Sequence, residues 1–137
     1  MAFINYVTQI QFEPGALGLL RQECERIGIR RPLIVTDPGI KAAGILSRAL
    51  DALSSLDKAV YDQTPSNPTE AAVRAATHIF HEQSCDGLIA LGGGSAIDCA
   101  KGVAIAARHE GALKNYATFE GGSPRITERC VPLIAIP

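Results

Sequence analysis

The sequence lacks the features that send a chain to nucleic acid or to a membrane. Thirteen Lys and Arg face 14 Asp and Glu, for a formal net charge of −1. No block of like charge and no basic patch interrupts that balance, so nucleic acid and anionic membrane are not expected partners. No apolar run is long enough to span a bilayer. The N-terminus has no charged segment followed by an apolar core and a cleavage site. No internal repeat, low-complexity tract or linker is present. Four cysteines, Cys24, Cys85, Cys99 and Cys130, form no C-x-x-C pair. They read as small buried hydrophobes in a reducing compartment, so the expected location is cytoplasmic.

What is present fits one globular domain. The chain has 137 residues, 47% hydrophobic and 20% charged, enough to bury a core and too apolar for disorder. Residues 3–12 alternate loosely and predict one or two short strands. Apolar spacing predicts a helix over 16–27, closed by Gly28, and another over 40–53 with Gly44 as a weak point. Residues 32–36, 58–61 and 87–91 read as short apolar strands. A helix is expected over 69–83, with Pro68 near its first turn, and another over about 96–108. Residues 112–122 read as a short helix and loop, and 131–137 as a last strand. Short apolar strands alternating with helices imply an α/β fold: a parallel sheet with helices on both faces. A chain ending on a buried-looking strand is expected to have lost whatever follows it.

The densest signal is Leu88-Ile89-Ala90-Leu91-Gly92-Gly93-Gly94-Ser95-Ala96-Ile97-Asp98-Cys99-Ala100-Lys101. It reads as a buried strand, three glycines and a helix. Glycine lets a ligand approach the backbone, and the helix start offers free N–H groups and a positive dipole end, which together hold phosphate. Neither common phosphate loop is matched. Ile97 stands where G-x-G-x-x-G needs its third glycine, and Lys101 comes too late for a Walker A lysine. Asp37, Asn67 and the 92–95 loop all follow strands, so they can converge on the edge where parallel sheets bind ligands.

In order along the chain, Ile34-Val35-Thr36-Asp37-Pro38-Gly39, Pro65-Ser66-Asn67-Pro68-Thr69, the glycine block and Pro132-Leu133-Ile134-Ala135-Ile136-Pro137 resemble the iron-containing (group III) alcohol dehydrogenases. The likeness runs from about Tyr6 to the last residue. It implies a Rossmann-like, dehydroquinate synthase-like N-terminal domain binding NAD, NADP being less favoured. It also implies a helical C-terminal domain, absent from this chain, whose aspartate and histidines hold a divalent metal such as iron or zinc. Residues 1–137 are then the NAD(P)-binding α/β domain of an NAD-dependent dehydrogenase acting on a small alcohol or aldehyde, inactive alone. Self-association into a homo-oligomer is expected, because mean hydropathy is +0.13 and the missing domain would leave apolar surface uncovered.

The resemblance marks Gly93, Gly94 and Ser95 as the pyrophosphate turn, beside the plain reading of a tight strand-to-helix connection. Asp37 would take the adenosine ribose and oppose a 2′-phosphate, or cap a helix ahead of Pro38, or both. Asn67 would contact cofactor, or serve only as a turn residue. Asp98 would lie near the nicotinamide, or complete a capping box with Ser95. No catalytic or metal-ligating residue is assigned: His78 and His81 sit three apart on one helix with nothing to complete a site, and His109 follows a helix end. Two other readings stay open. One is a non-catalytic nucleotide-binding or interaction module. The other is a fragment of a glycerol dehydrogenase, maleylacetate reductase or dehydroquinate synthase-like enzyme.

Overall fold

Pro32-Leu33-Ile34-Val35 and Gly87-Leu88-Ile89-Ala90-Leu91 contain no polar side chain, the pattern of a strand covered on both faces. In a computed structural model, which describes residues 8–117, 121–127 and 129–137, they form the two central strands. These are β1 (Pro32–Val35) and β3 (Gly87–Leu91), and every residue of both is buried. β2 (Ala59–Tyr61) lies outside β1, and β4 (Leu133–Ile136) lies outside β3. The order is β2-β1-β3-β4 and every pairing is parallel.

Strand alternation divides the core. Leu33, Val35, Leu88 and Ala90 face α4 (Glu70–Glu82) and α5 (Gly94–Ala106), packing with Val73, Ala76, Phe80, Cys99 and Val103. Ile34, Ile89 and Leu91 face the other way, onto α1 (Leu20–Arg26) and α3 (Ile45–Ala52), packing with Cys24, Leu46, Ala49 and Leu53. The expected sheet with helices on both faces is therefore what forms. Helices α4 and α5 approach closely at Gly102, where an added Cβ would stand 2.8 Å from Val73 Cγ2.

Several boundaries move for local reasons. The expected 40–53 helix is two helices, α2 (Pro38–Ala42) and α3, because the chain breaks at Gly44 with φ of +79°. Residues 16–19 are a 3₁₀ turn before α1, and Gly28 ends that segment with φ of +80°. Thr69 caps α4 rather than opening it, its hydroxyl accepting Ala72 N–H at 3.1 Å. Helix α5 starts at Gly94, two residues earlier than the sequence predicts. A 3₁₀ turn spans Leu113–Tyr116, and residues 118–120 of the expected loop lie outside the described residues. Of the strands expected over 3–12, residues 3–7 also lie outside them. Residues 8–12 form no strand, and Ile10 and Phe12 are 69% and 98% exposed, so no strand among the described residues covers that alternation.

No helix among the described residues is long and apolar enough to cross a membrane. Cys24, Cys85 and Cys99 are buried and Cys130 is half-buried, all with free thiols. Burial pushes the thiols of Cys24 and Cys85 up to about 11, so both stay protonated at neutral pH.

Candidate functional site

The strand order sets where a site can form. The chain leaves β1 toward β2, then returns past β1 to build β3. The loops after β1 and β3 therefore diverge to opposite sides of the sheet and leave a crevice between them. Ligands of open parallel sheets bind at that kind of position, outside the carboxyl ends of the strands.

From β1 comes Asp37. Its Oδ1 accepts Ile40 N–H at 2.9 Å and caps α2, with Pro38 at the first helical turn. Its Oδ2 turns toward the other side of the crevice, 3.3 Å from where a Cβ on Gly92 would lie. The capping and ligand-facing readings of Asp37 are thus compatible, because each oxygen has its own direction.

From β3 comes the glycine turn. Its three glycines are not equivalent. Gly92 has φ of +134°, and a Cβ there would crowd Ile40 Cγ1 at 3.2 Å as well as Asp37. It is the one whose backbone requires glycine. Gly93 caps α5 in extended conformation, and Gly94 opens the helix. An added Cβ at either would meet nothing within 4 Å. The space above these two residues is open, and the first helical bond is Ile97 N–H to the Gly93 carbonyl, 3.2 Å. The N–H groups from Gly93 to Ala96 precede that bond, so they head a 13-residue helix as donors without intrahelical acceptors. Free donors at a helix start favour an anionic group.

From β2 comes the segment with Asn67. Ser95 donates its hydroxyl to the Ser66 carbonyl, which holds this segment against the glycine turn. Asn67, next in the chain, is exposed at the same edge. Asp37, Asn67, Gly93, Gly94 and Ser95 are therefore brought to one end of the sheet.

Asp98 differs. Ser95 is inside the helix rather than its cap, so the Ser95–Asp98 capping box does not form; the cap is Gly93, which has no side chain. Asp98 lies one turn further along α5, largely exposed, with Lys101 Nζ at 3.8 Å. Sequence reasoning left out Thr36 and Ser66. Both stand inside the quoted motifs, but Thr36 acts as a buried strand-end hydroxyl and Ser66 through its carbonyl alone, roles set by long-range partners rather than by residue type. Gly92 lay within the motif, but its φ is visible only in three dimensions.

The electrostatics under the turn are quiet. Burial raises both the Tyr61 phenol and the Cys99 thiol above their ordinary values, so both are neutral. In the last turn of α2, Lys41 brings its Nζ to 2.7 Å from Asp62 Oδ2. The Lys41 ammonium, then the Gln63 amide, hold the Asp62 carboxyl below its ordinary value.

Among the described residues no group of three or more His, Cys, Asp or Glu could hold a metal ion. His78 lies 3.9 Å from Glu82, and His81 packs edge-on against Phe80. His109 Nε2 accepts the Thr127 N–H at 3.1 Å, which leaves Nδ1 to carry the proton and donate it to the Ile105 carbonyl at 2.9 Å. The described residues do not fit the divalent metal that the resemblance implies.

Comparison with known proteins supplies the remaining findings. Residues 7–137 match the family described as iron-containing alcohol dehydrogenase. A 4-hydroxybutyrate dehydrogenase of Cupriavidus necator is 62% identical over 137 residues, all of this chain and 36% of the relative. A 1,3-propanediol dehydrogenase of Citrobacter freundii is 35% identical over 129 residues, 91% of this chain and 32% of the relative. Among solved structures, the NADH-dependent butanol dehydrogenase A of Thermotoga maritima superposes with a TM-score of 0.84 at 26% identity, covering 98% of this chain and 34% of that one. The chain thus spans about a third of the length of the curated relatives it matches.

Proposed function

The chain belongs to the iron-containing alcohol dehydrogenase family, and from that premise we propose that residues 1–137 are the nucleotide-binding domain of an NAD-dependent dehydrogenase. One observation carries the reading: the open N-terminus of α5, with Gly93 and Gly94 clear of any neighbour, faces Asp37 across the crevice between β1 and β3. The pyrophosphate lies on the N–H groups of Gly93, Gly94 and Ser95, where unpaired donors and the helix dipole favour negative charge. The Asp37 Oδ2 accepts from the adenosine ribose, and its charge disfavours the 2′-phosphate of NADP. Asn67 lies at the rim on the β2 side. Asp98, a turn along α5, is assigned to the nicotinamide side.

Bound NAD⁺ supplies a hydride acceptor for the oxidation of a small alcohol, or as NADH a donor for the reverse reaction. The chain's own contribution is to bind and orient that cofactor. The metal and substrate groups of such an enzyme are assigned to a further domain outside residues 1–137, a reading supported by the chain's spanning about a third of its relatives' length. The relative at 62% identity is named for 4-hydroxybutyrate, so a short ω-hydroxy acid is the first substrate to try in a protein that carries that domain. Free, protonated thiols suit a reducing compartment such as the cytoplasm. The exposed Ile10 and Phe12 and the half-buried β4 support self-association.

Calorimetry with NAD⁺ and NADP⁺ tests the reading. The purified chain should bind NAD⁺ in preference to NADP⁺. Supplied with ferrous iron or zinc and a panel of alcohols, polyols and hydroxy acids, it should form no NADH. Absence of NAD⁺ binding would sink the nucleotide assignment. Metal-dependent turnover that survives removal of contaminating enzymes would sink the assignment of metal and substrate groups elsewhere.

A further inference from the structure

We propose that Thr36 is a positioning residue of the nucleotide site, fixing the carbonyl from which the glycine turn departs. The proposal rests on the nucleotide reading above and deepens it.

Thr36 follows the last residue of β1 and is fully buried, 0% exposed. A buried hydroxyl is costly unless it is bonded, and valine would fill the same volume without that cost. Each polar group of Thr36 reaches a different part of the site. Its N–H donates to the Tyr61 carbonyl at the end of β2, 2.8 Å. Its carbonyl accepts Thr64 N–H at 3.3 Å, at the start of the segment that carries Ser66 and Asn67. Its hydroxyl donates to the Leu91 carbonyl, the last of β3, at 2.7 Å. Thr36 thus ties together the ends of all three strands whose loops build the crevice.

The Leu91 bond matters most for the ligand. The chain turns at the next residue, Gly92, and enters α5 two residues later. Other anchors of this turn are weaker places to pull from. Gly92 N–H donates to Ile136 of the edge strand β4 at 3.0 Å, and the Ser95 hydroxyl binds an exposed segment. Thr36 anchors the turn to the central strand, and its neighbour Asp37 supplies the facing carboxylate. One dipeptide therefore sets both sides of the crevice. Without the hydroxyl, the Leu91 carbonyl loses its donor and the N–H groups at Gly93–Ala96 are no longer held in one direction.

The test compares Thr36→Val, which keeps shape and loses the donor, with Thr36→Ser, which keeps the donor. NAD⁺ affinity is measured by calorimetry well below each melting temperature, with amide hydrogen exchange of the same chains. Thr36→Val should bind NAD⁺ about tenfold more weakly, the loss of one hydrogen bond's worth of orientation. Its exchange should accelerate at 92–96 and stay unchanged within β1 and β3. Thr36→Ser should stay within about twofold of the unmutated chain. If Thr36→Val does not fold, Thr36→Cys, a near isostere with a weak donor, should bind more weakly than Thr36→Ser. A purely structural role predicts lower melting temperatures with unaltered affinity in the folded chains, and that result overturns the proposal. If the unmutated chain fails to bind NAD⁺, the nucleotide reading itself falls, and this proposal with it.

Discussion

Asp37 gives the sharpest test, because its two oxygens are assigned separate tasks that two substitutions can part. Oδ1 caps α2, a helix of only five residues, through a 2.9 Å bond to Ile40 N–H. Asp37→Ala removes that cap and should cost about 1 kcal/mol. For a chain of this size that lowers the melting temperature by roughly 3–6 °C. Asp37→Asn keeps an equally good capping oxygen, so its stability should change by less than about 0.5 kcal/mol. The ligand side behaves differently. Oδ2 faces the glycine turn, 3.3 Å from the Cβ position of Gly92. With a 2′-phosphate about 5 Å away and an effective dielectric of about 40, each unit of like charge costs about 1.7 kcal/mol. That is more than tenfold in relative affinity. Both substitutions remove the charge, so both should shift the NADP⁺ to NAD⁺ affinity ratio by about tenfold or more, and added salt should shrink the shift. Calorimetry with both cofactors and thermal melts read the two effects independently. The reasoning is refuted if the unmutated chain binds both cofactors equally. It is also refuted if Asp37→Asn melts as low as Asp37→Ala.

Two further outcomes follow from packing and charge. Gly102→Ala places a methyl 2.8 Å from Val73 Cγ2 at the α4–α5 crossing. It should destabilise by about 1–3 kcal/mol in urea unfolding, and adding Val73→Ala should recover part of that; independent, additive losses would contradict the geometry. Lys41→Met should remove the bond that holds the Asp62 carboxyl low. A depressed carboxylate stabilises the fold above its unfolded value, about 3.9, and that contribution is lost as pH falls through the lower folded value. The pair is near the surface, so the substitution should cost about 0.2–1 kcal/mol at pH 7. As pH falls through the lowered folded value of Asp62 the unfolding curves should converge; a gap that stays the same size across the acid range would assign the effect to packing instead.

The sheet was legible in the sequence because its central strands are buried on both faces. That forces uninterrupted apolar runs at 32–35 and 87–91, and such runs separated by helical spacing leave few alternatives to a parallel sheet. The glycine block was legible as a strand-to-helix turn for a related reason: a backbone that turns at positive φ, as at Gly92, needs a residue without a Cβ, and that need is written locally. The family likeness of residues 34–39, 65–69, 92–101 and 132–137 was visible in the same way, as collinear motifs. Residues 8–12 show the limit, since alternation marks a strand only where a neighbour covers it, and Ile10 and Phe12 have no such cover among the described residues. The Ser95–Asp98 capping box failed by register, because α5 begins two residues early. Which glycine is indispensable, which oxygen of Asp37 faces the crevice, and that Thr36 joins three strand ends were decided only by tertiary structure. Those facts depend on bonds spanning up to 55 residues, as between Thr36 and Leu91. Local sequence sets the propensities of each segment, but the partner of a buried polar group is fixed only when the strands are laid side by side.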